Sequence, residues 1–290
     1  MKRRDFFYYL SFILTNPKIV LPDLTLPNLS LDEVSKRKKT ILLNPGHNKD
    51  VYKQGYGCFI EGIGYEYVLN TQIARKTQKI LESAGLEAIV TRDENKYIPK
   101  IEDYKNLNKQ ALLRKVKDYR EQKGNKNHKM PVNEALIQLS ILKWADINDV
   151  DIILNLHIND VIKKYRRKTF GFAVIISDKH PSFKQNQALA QSIYDSLDVV
   201  FEPSNNKGES ALIKKGKVRE YVPGFVINDF LMLGNDMYHP QVLSVLVECG
   251  YISQKYGKQG LTIAHEQVQD QYALRISEGI LEFLKSAAHH

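Results

Sequence analysis

Two histidines and two glutamates, His47, Glu66, His157 and Glu248, stand where apolar runs meet polar turns. TILLNPGH ends on His47, DIILNLHIND carries His157 at the end of a second apolar run, and LSVLVECGY carries Glu248 at the end of a third. In open α/β sheets ligands bind just beyond the carboxyl ends of the strands. Three such ends therefore bring two imidazoles and a carboxylate to one pocket. Glu66 joins them at the start of an amphipathic helix read from GIGYEYVLNTQIARKTQKIL. Two His and one Glu make a three-ligand zinc set with a position left open for water, and the further Glu is then free to act as a base.

Taken singly, each residue has an ordinary reading. A His after a strand is commonly structural or exposed. His157 shares a strand face with Ile153 and Asn155, because side chains alternate, and so reads equally as a hydrogen-bonded core imidazole. Glu66 suits the positive end of a helix without any further role. Glu248 reads as a solvated carboxylate at a strand end. The Pro45-Gly46 turn exposes the side chain that follows it, and the four residues together make a site.

At these residues the chain resembles a known family. NPGHN, the Glu of GYEYVLN, LHIND and LVECGYIS look like the zinc-dependent N-acetylmuramoyl-L-alanine amidases that cleave bacterial peptidoglycan. ESAGLEAIVTRDEN is similar to that family's helix–turn–strand ending in Thr-Arg, here Thr91-Arg92. The resemblance runs from about Lys39 to Leu284, with gaps. It implies that His47, Glu66 and His157 bind one zinc ion, that Glu248 is the catalytic acid/base, and that peptidoglycan is the substrate. An activator protein of unknown identity is a further expected partner. The chain departs from the pattern in three places. Asn44 stands where the family usually has Asp. The helix before the second His, NEALIQLSILKWADINDVD, lacks the usual Arg. The segment from Asp93 to Met130 is longer and more polar than the pattern needs.

The implied chemistry suits such a set. An amide is a poor electrophile and water a poor nucleophile at neutral pH. Zinc lowers the pKa of its bound water to about 7 and polarises the carbonyl. Glu248 is then expected to take the water's proton and pass it to the leaving amine, a contribution of roughly 10²–10⁴-fold. Ligand imidazoles normally donate their other ring nitrogen to an acceptor; Asn155, Asn159 and Asp160 are the nearby choices in sequence. Asn159, Arg166 and Arg167 are expected to bind substrate. The last two lie in VIKKYRRK, whose cations Lys163, Lys164 and Lys168 join them in leaving the His157 strand end.

Other motifs fail. His265-Glu266 lacks the second His of HExxH, and no Gly-x-Ser-x-Gly is present. GYGCFIEGIG follows no clear strand and lacks the Lys-Ser/Thr of a phosphate loop; it reads as a flexible loop joining His47 to Glu66. His180 and His239 each precede Pro and read as surface residues. His289 and His290 end the chain as a tag would.

With 290 residues, 43% of them hydrophobic and 26% charged, the chain can bury one large core or two small ones. Its net charge of +9 suits a polyanionic or cell-wall partner. The basic residues are dispersed and no DNA- or RNA-binding motif is present, so no nucleic-acid partner is expected. Cys58 and Cys249 make no disulfide framework. They read as buried free thiols, with a single bridge as the alternative. The start, MKRRDFFYYLSFILTNP, has a twin Arg at Arg3-Arg4 and an apolar run from Phe6 to Leu14. The run is too short to span a bilayer. It reads as a twin-arginine export signal placing the protein in the periplasm or outside the cell. A cytoplasmic amphipathic helix is the competing reading. Thr15 to Lys38 reads as a linker.

Beyond it, strands are predicted at Thr40–Leu43, Glu87–Thr91, Asp151–His157, Gly171–Ser177 and Leu243–Glu248. Helices are predicted at Tyr67–Ala84, Ile101–Lys123, Pro131–Ala145, Pro181–Leu197 and His265–Ser286, with a break at Gly124. Such alternation predicts a single α/β domain, a mostly parallel twisted sheet with helices on both faces. Residues 1–38 are assigned to signal and linker and 39–290 to the catalytic domain. The connection from Phe201 to Pro240 is long, and its apolar VPGFVINDFLMLGNDMYHP marks it as a lid or binding loop. Two other functions remain open from sequence: another zinc peptidase or amidohydrolase on the same scaffold, and a silent wall-binding regulator.

Overall fold

The structure, a computed structural model, describes residues 37–288 apart from 95, 123–130, 162, 167, 216–217, 229, 235–241 and 258–259. The export signal with Arg3 and Arg4, the linker up to residue 36, the Gly124 break, Arg167, His239, His289 and His290 lie outside the described residues.

Four parallel strands build the centre. They are β1 (Thr40–Pro45), β4 (Glu87–Val90), β5 (Ile152–Asn159) and β10 (Leu243–Tyr251). Two short strands, β2 (Phe59–Ile60) and β3 (Gly64–Tyr65), form a separate hairpin. On the far side of β10 the sheet continues with β6 (Ala173–Ile176), antiparallel to it, and β9 (Phe225–Ile227), parallel to β6. The order is β4-β1-β5-β10-β6-β9. The predicted mostly parallel sheet is observed. Strand β10 runs past the predicted Glu248 to Tyr251, across an irregularity between those two residues.

The alternation of side chains splits the strands between two cores. Ile41, Leu43, Leu154, Leu156, Val245 and Val247 face helices α2 (Glu66–Ser83), α6 (Phe183–Asp198) and α7 (Glu266–Ala288). Leu42 and Ile153 face α3 (Pro99–Leu107), α4 (Lys109–Gln122) and α5 (Val132–Ile147). Helices thus cover both faces. Helix α5 buries Ala135, Leu136, Ile137, Leu139, Ile141, Leu142 and Trp144, on nearly every side. A helix apolar all round must be enclosed, and α3 and α4 enclose it against the sheet.

Several sequence expectations need correction. The single helix predicted over Ile101–Lys123 is two. Asn108 ends α3 by donating both its backbone N–H and its side-chain Nδ2 to Tyr104 O, the backbone competition that suits Asn to helix ends. GYGCFIEGIG is no slack loop; it contains the β2–β3 hairpin and follows a short helix, α1 (Lys49–Lys53), capped by Asn48 Oδ1. The connection after Phe201 carries a hairpin of its own, β7 (Ser210–Lys215) with β8 (Val218–Pro223), before β9 and a 3₁₀ turn at Leu231–Leu233. His180 is not a surface residue. It is 3% exposed, its Nδ1 accepts from Ser182 N at 2.9 Å and its Nε2 lies 3.0 Å from Val242 O. The turn imposed by Pro181 folds the imidazole inward, where two backbone groups satisfy it.

Candidate metal and catalytic site

Strand β1 ends in Pro45-Gly46-His47, and the turn is held from three directions. Gly46 N donates to Leu156 O at 2.6 Å. Asn70 Nδ2 donates to Gly46 O at 3.1 Å. Arg92, wholly buried, donates through Nε to Pro45 O and through Nη2 to Gly46 O. The same guanidinium reaches Tyr67 O, Thr71 Oγ1 and Asp93 O, so one side chain ties the β1 turn to the first turns of α2. These anchors hold His47 at a φ of +56°, a conformation few non-glycine residues adopt. A Cβ on Gly46 would sit 2.2 Å from the His157 ring. Only glycine lets that imidazole lie against the turn.

Glu66 opens α2 and is 4% exposed. Its Oε2 accepts from Cys58 N at 3.1 Å and Cys58 Sγ at 3.4 Å. Its Oε1 accepts from Asn70 Nδ2 and Ile158 N, each at 3.3 Å. That same Oε1 stands 3.7 Å from His47 Nε2 and 3.5 Å from His157 Nδ1. The two imidazoles meet edge to face with centroids 4.9 Å apart. One donor atom from each of His47, Glu66 and His157 lies within 4.8 Å of the others, the one such cluster among the described residues.

Burial lowers the His47 imidazole to about 4, with Glu66 opposing and the His157 and Arg92 charges adding. Burial would lower His157 too, but its hydrogen bond to Glu66 and the charges of Glu248, Glu66 and Glu134 raise it. Burial alone would raise Glu66; His47, His157 and the Ile158 N–H bring its carboxyl down to about 2. Neutral His47 and ionised Glu66 are the forms that bind a metal.

Glu248 faces this set by strand register. It is the Cα partner of His157 across the parallel β5–β10 pair. Burial, the largest influence, pushes its carboxyl up to about 8; His157 opposes, while Glu66 and Glu209 add. Its Oε2 is sealed from solvent and has no hydrogen-bond partner. Two imidazoles, an ionised carboxylate and a poised buried oxygen fit a three-ligand metal with an adjacent base.

Below the site lies a polar chain. Thr91 Oγ1 donates to Asn44 Oδ1 at 2.9 Å, Asn44 Nδ2 to Asn155 Oδ1 at 2.8 Å, and Asn155 Nδ2 to Ser244 Oγ at 3.2 Å. Asn44 and Asn155 are in register. An Asn at position 44 can both donate and accept; an ionised Asp could only accept. Asn155 is thus spent within the sheet and does not serve His157. Asn159 Nδ2 donates to Glu209 Oε1 at 2.7 Å. Arg166 grips Asp160 with Nε and Nη2, at 3.0 and 2.6 Å. Lys163, Lys164 and Lys168 around it are exposed. Cys58 and Cys249 are buried free thiols; burial, then the Glu66 charge, raises the Cys58 thiol well above its usual range.

Sequence reasoning did not single out Asn70, Cys58 or Thr71 as supports of the site. Asn70 had a signal, since it follows Glu66 by one helical turn and so shares its face. Cys58 had none, because the hairpin that carries it to Glu66 shows no periodic pattern, and the anchoring role of Arg92 had none, because it acts across a long sequence separation.

A sequence profile of the N-acetylmuramoyl-L-alanine amidases matches residues 41–282. The chain belongs to that family. It is therefore a peptidoglycan hydrolase of the amidase type. Solved structures share the fold at low identity. The CwlD amidase of Clostridioides difficile, solved in complex with the GerS lipoprotein, matches at 21% identity and a TM-score of 0.54, over 86% of this chain and 100% of that one. Ami1 of Mycobacterium abscessus matches at 17% and 0.53, over 85% and 98%. AmiC2 of Nostoc punctiforme matches at 19% and 0.50, over 87% and 99%. Among curated proteins none matches this amidase by sequence.

Proposed function

We propose that this amidase uses one zinc ion, held by His47, Glu66 and His157, with Glu248 as its acid/base, to cut the amide between the muramyl lactyl group and L-alanine. The observation that carries the reading is the convergence of three donor atoms within 4.8 Å beside the partnerless Oε2 of Glu248. When bound, zinc in such a set supplies Lewis acidity and acidifies water. Glu248 takes a proton from the attacking water and returns it to the amine of L-alanine as the C–N bond breaks. The products are a free lactyl carboxylate and a peptide with a free amino terminus. Asn70, Cys58 N and Ile158 N hold Glu66 in the geometry this needs.

Residues 39–290 form the catalytic unit in this reading, and the cations after His157 draw the stem peptide's carboxylates toward the cleft. Asp160 already fills the Arg166 fork, so long-range attraction falls mainly to the exposed lysines and Arg167, while Asn159 contacts the peptide. The substrate implies an envelope location reached through the twin-Arg segment. The GerS complex of the Clostridioides difficile relative supports an accessory protein as a further partner. Among the described residues no helix is long and apolar enough to cross a membrane.

The test is metal analysis of the purified chain together with mass analysis of digested peptidoglycan. The expected result is one zinc per chain and stem peptides released with an unmodified L-alanine amino terminus. Cleavage within the glycan or within the peptide would overturn the bond assignment.

A further inference from the structure

One buried carboxylate stands near the site without a part in the proposed chemistry. Glu134 is 7% exposed, and its Oε1 accepts from Gln138 Nε2 at 3.0 Å. Its Oε2 is sealed from solvent and has no partner. A buried carboxylate oxygen left unmatched is costly, so a fold that keeps one calls for a reason.

The fold places Glu134 level with His157. Helix α5 leads through a short turn, with Val150 N bonded to Ala145 O, into β5. The helix packs on the sheet face that carries Leu42 and Ile153, and so runs back along the strand. Glu134 lies about 16 Å up the helix from Ala145, at roughly 1.5 Å per residue. His157 lies about 16 Å up the strand from Ile152, at roughly 3.3 Å per residue. Asn155 and His157 continue the face of Ile153, which is the α5 face. The charges of Glu134 and His157 act on each other accordingly.

The other neighbours leave that oxygen open. Arg92 is also felt at Glu134, but its five N–H donors are already spent on Pro45 O, Gly46 O, Tyr67 O, Asp93 O and Thr71 Oγ1. His157 turns Nδ1 toward Glu66; with Nδ1 given to the metal, the ring's proton would sit on Nε2 and need an acceptor there. Asn155, the acceptor nearest in sequence on that face, is committed to Asn44 and Ser244.

We infer that Glu134 is the outer carboxylate of His157, accepting the imidazole N–H that points away from the metal set, directly or through one bridging water. It is a positioning residue: it fixes the tautomer and ring plane of a ligand, as carboxylate–histidine–metal triads do. The inference rests on the proposed ligand set. It also gives a reason for a buried carboxylate in the first turn of α5.

The test is zinc affinity of the full chain, measured by chelator competition, for the parent, Glu134→Met, Glu134→Gln and Tyr97→Phe, the last because the Tyr97 hydroxyl, which accepts from Asn48 Nδ2 at 3.5 Å, also feels the Glu134 charge. Glu134→Met removes the acceptor at similar volume and should weaken zinc about 10–100-fold. Glu134→Gln keeps an acceptor oxygen and should stay within a few-fold of the parent. Thermal unfolding of the apo forms separates this from simple damage. Losing an unmatched buried carboxylate should leave the Met variant at least as stable as the parent, so affinity and stability move in opposite directions. Zinc affinity unchanged in Glu134→Met overturns the assignment. So does a Gln variant as weak as the Met variant, or a Tyr97→Phe variant that alone reproduces the loss and makes Tyr97 the partner. A parent without zinc affinity brings down the ligand set itself, and this inference with it.

Discussion

Exchanging one oxygen of Glu248 for nitrogen, as in Glu248→Gln, keeps the side chain's shape and removes its capacity to take a proton. If Glu248 is the base, zinc should remain bound while turnover falls by about 10²-fold or more. His157→Ala should instead abolish metal and activity together, because it would remove one of the three proposed donors. Metal analysis alongside turnover separates the two roles: zinc lost in Glu248→Gln would make it a ligand, and zinc retained in full in His157→Ala would remove it from the set. Gly46 makes a subtler case. It offers no side chain as a ligand, yet a methyl there would meet the His157 ring at 2.2 Å. Gly46→Ala should therefore weaken zinc binding with the fold intact, read by chelator competition and circular dichroism. Zinc affinity equal to the parent's would show that the ring has room to move.

At the scale of elements, the sheet carries its site on a polar layer. Thr91, Asn44, Asn155 and Ser244 link β4, β1, β5 and β10 through buried hydrogen bonds. Asn44→Leu would leave Thr91 and Asn155 unmatched in a dry interior and should cost about 1–3 kcal/mol, seen as a lower urea midpoint. Because both partners lose together, Asn44→Leu with Asn155→Leu should cost less than the sum of the singles. Strict additivity would mean that the two amides act independently. The helices show the same division of labour. Helix α2 delivers Glu66 with its first residue and Asn70 one turn later. Helix α5 supplies a wall, which is why its sequence is apolar nearly all round.

At the scale of the molecule, a net charge of +9 meets a substrate whose stems carry carboxylates. Exposed charges are screened beyond about 8–10 Å at physiological salt. Activity on peptidoglycan, as kcat/KM, should thus fall as salt rises, and Arg166→Gln with Arg167→Gln should flatten that slope. Arg166 also braces Asp160, so the double variant is best judged by its slope rather than by its absolute rate. An unchanged slope would show that Arg166 and Arg167 carry none of that attraction. Export is tested apart from catalysis: Arg3→Lys with Arg4→Lys should hold the protein in the cytoplasm, since the twin Arg is read by a receptor. Normal envelope location of that variant would discard the signal.

Local pattern determined much of this protein. Alternating apolar strands and periodic helices specified a mostly parallel α/β sheet, because the period of a hydrophobic face is written in the chain itself. His47, Glu66, His157 and Glu248 could be proposed from sequence because each stands at or near an end of such an element, and the carboxyl ends of parallel strands must share one edge of the sheet. What tertiary structure alone decided depends on contacts between distant residues. The anchoring of the His47 turn by Arg92, the clamp of Cys58 on Glu66 and the amide pair Asn44–Asn155 all join positions with no periodic relation. The inward turn of His180 was misread because Pro181 signals a turn without saying which way it faces. The hairpins at β2–β3 and β7–β8 escaped because short strands stabilised by packing leave too little alternation to read. Glu134 shows the limit most plainly. In sequence it is an acidic residue in the first turn of a helix, and only the antiparallel run of α5 along β5 sets it level with His157.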